Sequence, residues 1–292
     1  MNFIDVLQHN HALFSLLCIL LGLFVGSFIN VVAYRLPKMM EADWKAQCNE
    51  LFGKDEAVEQ KATPLTLSRP SSSCPHCGHK IRAWENIPII SWLLLRGRCS
   101  DCKQPISMRY PIVELATGLL SLAVALHFGF SWQAGAALLL TWSLIALTLI
   151  DFDHQLLPDS IVLPVLWLGL ILSLFTIFTD SHSSIIGAAA GYLSLWTVFQ
   201  LFRLITGKEG MGYGDFKLLG LFGAWFGWQS LVQIILLSSV VGAVVGISLI
   251  LVRGRDRNIP IPFGPYLAAA GWISLIWGEQ INAAYLHWAG LA

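Results

Sequence analysis

Charge is what this chain has least of. Of its 292 residues only 18 are basic and 18 acidic, or 12%, about half the share found in soluble domains. Hydrophobic residues make up 55%, and the mean hydropathy is +0.65. Too few polar groups remain to cover a water-facing surface, which excludes a soluble globule and a disordered chain. Net charge is zero and no basic patch is interleaved with aromatic residues, so nucleic acid is not an expected partner. Residues 1–12 contain neither Lys nor Arg, and the basic n-region of a secretory signal is therefore missing. Missing too are an internal repeat and any H-E-x-x-H metalloprotease motif.

Apolar runs are what the chain has in abundance. They fall near residues 13–34, 111–128, 132–150, 157–178, 184–204, 216–228, 231–252 and 263–288. A membrane span needs about 20 residues; the sixth run is shorter and is compatible with either a span or a re-entrant segment. The basic residues arbitrate. Twelve of the 18 lie between Arg35 and Arg109, three more are Arg203, Lys208 and Lys217, and the last are Arg253, Arg255 and Arg257. Eight alternating crossings put all three groups on one side and leave the opposite loops without a basic residue, as the positive-inside rule asks. The expectation is an all-α polytopic membrane protein of about eight transmembrane helices, with residues 35–110 as a cytoplasmic loop. Within that loop residues 38–62 are charged and helix-like, and residues 63–73 read as a Pro/Ser linker. Three parts follow: a first span over 1–34, a cytoplasmic domain over 35–110 and a helical bundle over 111–292.

Cys74-Pro-His-Cys77 and Cys99-Ser-Asp-Cys102 stand 21 residues apart in the loop. Each C-x2-C turn presents two thiolates, and two such turns supply the four soft ligands of a tetrahedral structural Zn. Disulfides are the alternative, but a reducing cytosol disfavours them. Cys74, Cys77, Cys99 and Cys102 are thus the expected metal ligands of a zinc-ribbon-like site. Four thiolates leave no open position for catalysis. Cys18 and Cys48 lack partner spacing and read as inert, and His76 and His79 as exposed rather than ligating.

Acidic residues at the edge of a span are expensive and mark function by default. Glu114, Asp151, Asp153, Asp159 and Asp215 qualify. Asp159 follows Pro158 and is also explained as a helix cap, and Asp153 as an interfacial polar residue. Asp151 and Asp215 each occupy a junction between loop and span. Two carboxylates meeting at low dielectric share one proton. The ionised member then takes a proton from water while the other donates to a peptide carbonyl, which is aspartic-protease chemistry. The glycines at 210, 212 and 214 allow close backbone approach beside Asp215.

Gly212-Tyr-Gly-Asp215 matches the G-x-G-D signature of membrane aspartyl proteases. With Gly26-Ser-Phe-Ile-Asn-Val-Val32, Arg35-Leu-Pro37, the two cysteine pairs, Arg109-Tyr-Pro-Ile-Val-Glu-Leu115, Asp151-Phe-Asp-His154, Leu157-Pro-Asp159 and Pro262-Phe-Gly-Pro-Tyr266, the chain resembles the prepilin peptidases of type IV pilus and type II secretion systems. The resemblance implies a bifunctional enzyme of the bacterial inner membrane. Such an enzyme cuts the basic leader from prepilins and pseudopilins at the cytoplasmic face, and then N-methylates the new terminus with S-adenosylmethionine. It also implies that Asp151 and Asp215 are the catalytic pair. Two other classes compete. An ion-coupled transporter would also hold intramembrane carboxylates, but here they cluster at one face. A zinc-bearing adaptor would leave Asp151 and Asp215 unexplained.

Overall fold

In a computed structural model, residues 3–52, 65–208, 210–253 and 262–288 are described. Among them the secondary structure is helical, with no strand and two isolated β-bridges. The chain divides into two compact units, Met1–Phe130 and Ser131–Ala292.

The first unit holds α1 (Phe3–His9), α2 (His11–Leu51), α3 (Ile90–Leu94) and α4 (Arg109–Phe128). Asn10 caps α2 by accepting the Leu13 N–H at 3.0 Å, which satisfies one of the orphan donors of the first turn. The apolar run 13–34 and the charged residues after it are one continuous helix, through Pro37 to Leu51; residues 53–62 of the expected helical segment lie outside the described residues. Its faces follow membrane logic. Ser15, Cys18, Gly22 and Gly26 are turned inward, while Leu16, Leu20, Phe24 and Phe28 are exposed. Lipid is as apolar as leucine, so helices associate in it by close backbone packing of small residues. A Cβ on Gly22 would lie 2.4 Å from Ser121 Oγ, and one on Gly26 would lie 2.8 Å from Glu114 Cα. These contacts, with Asn30 Nδ2 donating to the Tyr110 carbonyl at 3.4 Å, set α2 and α4 antiparallel.

The second unit holds α5 (Trp132–His154), α6 (Asp159–Ser173), α7 (Ser181–Thr206), α8 (Tyr213–Phe226), α9 (Gln229–Arg253) and α10 (Gly264–Trp288). Ser131 and Asp180 cap α5 and α7, accepting from Ala134 N–H at 3.1 Å and Ser183 N–H at 3.0 Å. The sixth apolar run becomes α8. At 14 residues it is about 21 Å long, against a hydrocarbon core of about 30 Å. It is also the buried centre of its unit, with Phe216 and Leu218 to Trp225 all inside. On one side α8 meets α7 backbone to backbone: a Cβ on Gly187 would fall 2.3 Å from the Gly223 carbonyl oxygen, and Ser184 Oγ donates to the Ala224 carbonyl at 2.6 Å. Trp225 lies on Gly169 of α6 and donates Nε1–H to the Val165 carbonyl at 2.8 Å. On the α10 side Phe222 fills the space over Gly271.

All eight apolar runs thus coincide with helices. Among the described residues five of these are long and apolar enough to cross a membrane: α2, α4, α5, α7 and the 229–248 part of α9. The protein is a multi-pass membrane protein. Arg255 and Arg257 lie outside the described residues.

Candidate functional site

Asp151 and Asp215 are brought together in the second unit. Asp151 sits in the last turn of α5, one turn deeper than a loop junction, because the helix runs on to His154 and stops at Gln155 in a left-handed conformation with φ 54°. Asp215 sits in the first turn of α8, three residues after the Gly212 cap. Both are buried, at 6% and 7% exposure, and they lie within electrostatic reach of each other.

Gly264, the first residue of α10, closes the site on the Asp151 side. A Cβ there would fall 2.5 Å from Asp151 Oδ2 and 3.3 Å from Leu157 Cδ1, and one on Gly214 would fall 2.7 Å from Leu157 Cβ. Leu157, buried in the α5–α6 turn, is therefore wedged between the two glycines that flank the carboxylates. The Gly264 amide faces the Asp151 carboxylate, yet Asp151 Oδ2 is buried with no hydrogen-bond partner. Such an orphan is costly in a native structure and points to a group kept for chemistry.

Two further contacts fix the start of α8. Phe199, Tyr213 and Phe216 pack ring to ring at 5.3–5.5 Å between centroids. Lys217 Nζ donates to both oxygens of Asp159 at 2.7 Å, tying α8 to α6. Asp159 is thus the first residue of α6, after a Pro158 cap, and not the cap itself. Asp153 and His154 are exposed as expected, but in helix rather than loop. Lys217, Leu157 and Gly264 were not expected at the site. Leu157 and Gly264 carried a signal, in the Leu157-Pro-Asp159 and Pro262-Phe-Gly-Pro-Tyr266 stretches; Lys217 carried none.

Glu114 belongs to the first unit, where its Oε2 accepts the Ile89 N–H at 2.7 Å. The same unit holds two matching knuckles. Cys74 N–H donates to the His79 carbonyl and Cys99 N–H to the Gln104 carbonyl, both at 2.9 Å, and a bridge closes each turn. The residue after each second cysteine is left-handed: Gly78 at φ 73° and Lys103 at φ 59°. Glycine meets that demand without strain and lysine does not. The four Sγ atoms lie within 4.8 Å of one another, with Cys74–Cys102 at 3.8 Å and Cys77–Cys99 at 4.0 Å. Zn–S bonds of about 2.3 Å in a tetrahedron set sulfurs about 3.8 Å apart, so the residues fit that ion.

The electrostatics of the sulfurs agree. Amides of Cys77 and His76 bring the Cys74 thiol down to about 6. At Cys77 the His79 amide pulls the same way, but burial and the sulfurs of Cys102, Cys74 and Cys99 outweigh it and push the thiol up to about 12. Four crowded sulfurs ionise together only with a cation among them. His79 is half-buried rather than exposed. Its Nε2 contacts Glu85 Oε2 at 3.2 Å and Ser100 Oγ at 3.3 Å, so it braces one knuckle against the other. The Arg82 N–H, then Ser100 and His79, hold the Glu85 carboxyl down at about 2.

Comparisons with known proteins cover both units. Residues 20–128 match the bacterial peptidase A24 N-terminal domain, and residues 138–247 match the type IV leader peptidase family. A protein of Pseudomonas aeruginosa named prepilin leader peptidase/N-methyltransferase is 59% identical over 290 residues, 99% of each chain. One of the same name from Stutzerimonas stutzeri is 59% identical over 288 residues, again 99% of each. One from Xanthomonas campestris pv. campestris is 48% identical over 271 residues, 93% of this chain and 94% of its own. No solved structure matches.

Proposed function

The chain belongs to the type IV leader peptidase family, and from that premise we propose that Asp151 and Asp215 are its aspartic peptidase pair. The pair removes the basic leader from type IV prepilins and type II secretion pseudopilins, and the enzyme then N-methylates the exposed terminus. The observation that carries the peptidase reading is the pair itself: two buried carboxylates from different helices, within electrostatic reach, one oxygen bearing no donor.

The chemistry follows from one shared proton. The ionised carboxylate takes a proton from a water, whose oxygen attacks the scissile carbonyl carbon. The protonated carboxylate gives its proton to the carbonyl oxygen. Collapse of the tetrahedral species breaks the C–N bond, and the amine leaves with the proton the first carboxylate gained. The chain's part is positioning: Leu157, Gly214 and Gly264 exclude bulk around the pair, and the Asp159–Lys217 bridge and the aromatic trio hold the first turn of α8.

Zinc, held by Cys74, Cys77, Cys99 and Cys102, supplies cross-linking of the two knuckles and no chemistry at the peptide bond. For S-adenosylmethionine the family name is the support. Among the described residues there is no strand–glycine–helix unit to cradle it, and we derive no methyl-transfer step. We place the protein in the bacterial inner membrane with the carboxylates and the cysteine loop facing the cytoplasm, on the Lys/Arg distribution. We divide its work among an anchor (1–34), the zinc-bearing part (35–110) and the peptidase bundle (111–292).

The test is cleavage of a leader-bearing prepilin by membranes carrying Asp151→Asn or Asp215→Asn. Each single variant is expected to insert normally and to lose cleavage, since an amide supplies neither the acid nor the base. Near-normal turnover by either one removes that residue from the pair.

A further inference from the structure

Among the described residues nothing covers the apolar face of the short helix α3. Ile90, Leu93 and Leu94 are 54%, 61% and 71% exposed, and Trp84 and Ile87 beside them are exposed too. In a loop surrounded by water such a patch would be a liability.

Three observations say what covers it. The first is depth. The residue that enters α3, Ile89, donates its N–H to Glu114. Glu114 lies five residues into α4, about 7.5 Å below Arg109 at 1.5 Å per residue. At that level of the bundle a Cβ on Gly26 would touch Glu114 Cα, and Gly26 is well inside the apolar part of α2. The segment is therefore drawn down between the helix ends instead of standing off in solvent. The second is continuity. The outward face of α4 at this depth is Ile112 and Leu115, both exposed, and on a spanning helix that face meets lipid. The third is charge. Residues 80–109 contain six basic residues (Lys80, Arg82, Arg96, Arg98, Lys103, Arg109) and two acidic ones (Glu85, Asp101), and the Glu85 side chain is only 4% exposed. Apolar residues at the acyl boundary with Lys and Arg at the headgroups are the marks of an interfacial segment.

The segment is also held rigidly enough to serve as a seat. Trp92 donates Nε1–H to the Ile106 carbonyl at 3.3 Å and packs on Gly97, whose Cβ would fall 2.7 Å from the ring. Both partners flank the second knuckle, so α3 and the four-cysteine cluster form one piece.

We propose that residues 87–96 lie in the membrane interface, with Ile90, Leu93 and Leu94 among the acyl chains and Arg96 and Arg98 on anionic headgroups. The segment seats the four-cysteine loop on the leaflet from which α2 and α4 emerge at Arg35 and Arg109.

The test places the photo-crosslinking residue p-benzoylphenylalanine at Leu94 in the full chain, and at Gln104 in the second knuckle as the control. Both proteins are reconstituted in vesicles of phosphatidylglycerol and phosphatidylethanolamine, illuminated, and analysed by mass spectrometry. The expected result is phospholipid adducts at position 94, several-fold above those at 104. Position 94 without lipid adducts overturns the proposal, as does its crosslinking to added prepilin or to a second copy in place of lipid. A second arm uses Leu93→Glu with Leu94→Glu. Zinc content is expected to stay at one per chain while protease cleavage within residues 87–96 rises several-fold in vesicles. Unchanged protection in that variant refutes the seat independently.

Discussion

A single methyl group at Gly264 tests the geometry of the carboxylate pair. Gly264 starts α10 without a positive φ, so alanine is compatible with its backbone, and the effect of Gly264→Ala is steric alone. The new Cβ would stand 2.5 Å from Asp151 Oδ2, 3.1 Å from Asp151 Cγ and 3.3 Å from Leu157 Cδ1. Ordinary contact begins near 3.4 Å, so the carboxylate must retreat by about 0.9 Å, or α10 must move away. Misplacing a catalytic group by about 1 Å costs on the order of 100-fold in rate, and overpacking adds roughly 1–3 kcal/mol of destabilisation. Gly135→Ala is the control. Its Cβ meets nothing within 4 Å, and in a helix alanine gains up to about 1 kcal/mol over glycine. Prepilin cleavage by each variant in vesicles, beside thermal unfolding in detergent, separates rate from stability. Gly264→Ala is expected to lose about two orders of magnitude in turnover at a temperature where it is still folded, and Gly135→Ala to match the parent. If folded Gly264→Ala cleaves within a few-fold of the parent, Asp151 is not held where we place it.

Replacing any one of Cys74, Cys77, Cys99 or Cys102 by Ser is expected to lower zinc from one ion per chain, read by elemental analysis; zinc-free parent protein would end the metal assignment. Chelation is expected to loosen the loop and leave the hydrolytic chemistry of the aspartate pair in place, read as retained cleavage of a short leader peptide. Gly78→Ala clashes with nothing but puts a Cβ at φ 73°. It is expected to cost about 1 kcal/mol of knuckle stability, seen as faster zinc loss to a chelator, with Gly78→Asn milder; equal rates for all three proteins would contradict it. In a double-mutant cycle on unfolding, Asp159→Asn and Lys217→Met are expected to show a coupling of about 0.5–1 kcal/mol that shrinks with salt. Additive effects would mean the bridge does not join α6 to α8.

The helices were legible because their apolar runs are long, and the knuckles because C-x2-C twice in one loop has few other uses. What periodicity missed is the inside-out patterning of a membrane bundle. Along the first half of α2 the buried residues are small ones, Ser15, Cys18, Gly22 and Gly26, so a search for a hydrophobic face points the wrong way. The first span and the charged helix after it are one helix: Pro37 is carried inside α2, which runs on to Leu51. The carboxylate pair was visible as two residues at two helix ends, but not its surroundings. Leu157 lies in the α5–α6 turn and Gly264 at the start of α10, and only packing shows that both touch the same site. Lys217 hid because a lone lysine after an aspartate reads as an interfacial charge until its partner, 58 residues away, is known.

The shortness of α8 gains a reason from its neighbours. A helix surrounded on all sides by protein has no need to match the bilayer, since its ends are satisfied by loops buried in the bundle and not by headgroups. Its 14 residues run from Tyr213, two before Asp215, to Phe226, and Gly227 with a φ of 79° turns the chain into α9. Between those ends the backbone of α8 is locked against that of α7, with a Cβ on Gly223 falling 2.0 Å from the Gly187 carbonyl oxygen. Side chains in contact can slip by rotamer changes; backbones in contact cannot. The position of Asp215 is therefore set from inside the helix pair, by glycines about two turns away. That frees the residues next to the carboxylates from a structural burden, and an unsatisfied oxygen on Asp151 becomes tolerable. A site that leaves one polar atom unpaired needs its rigidity from elsewhere, and here small residues in the lipid-shielded core supply it.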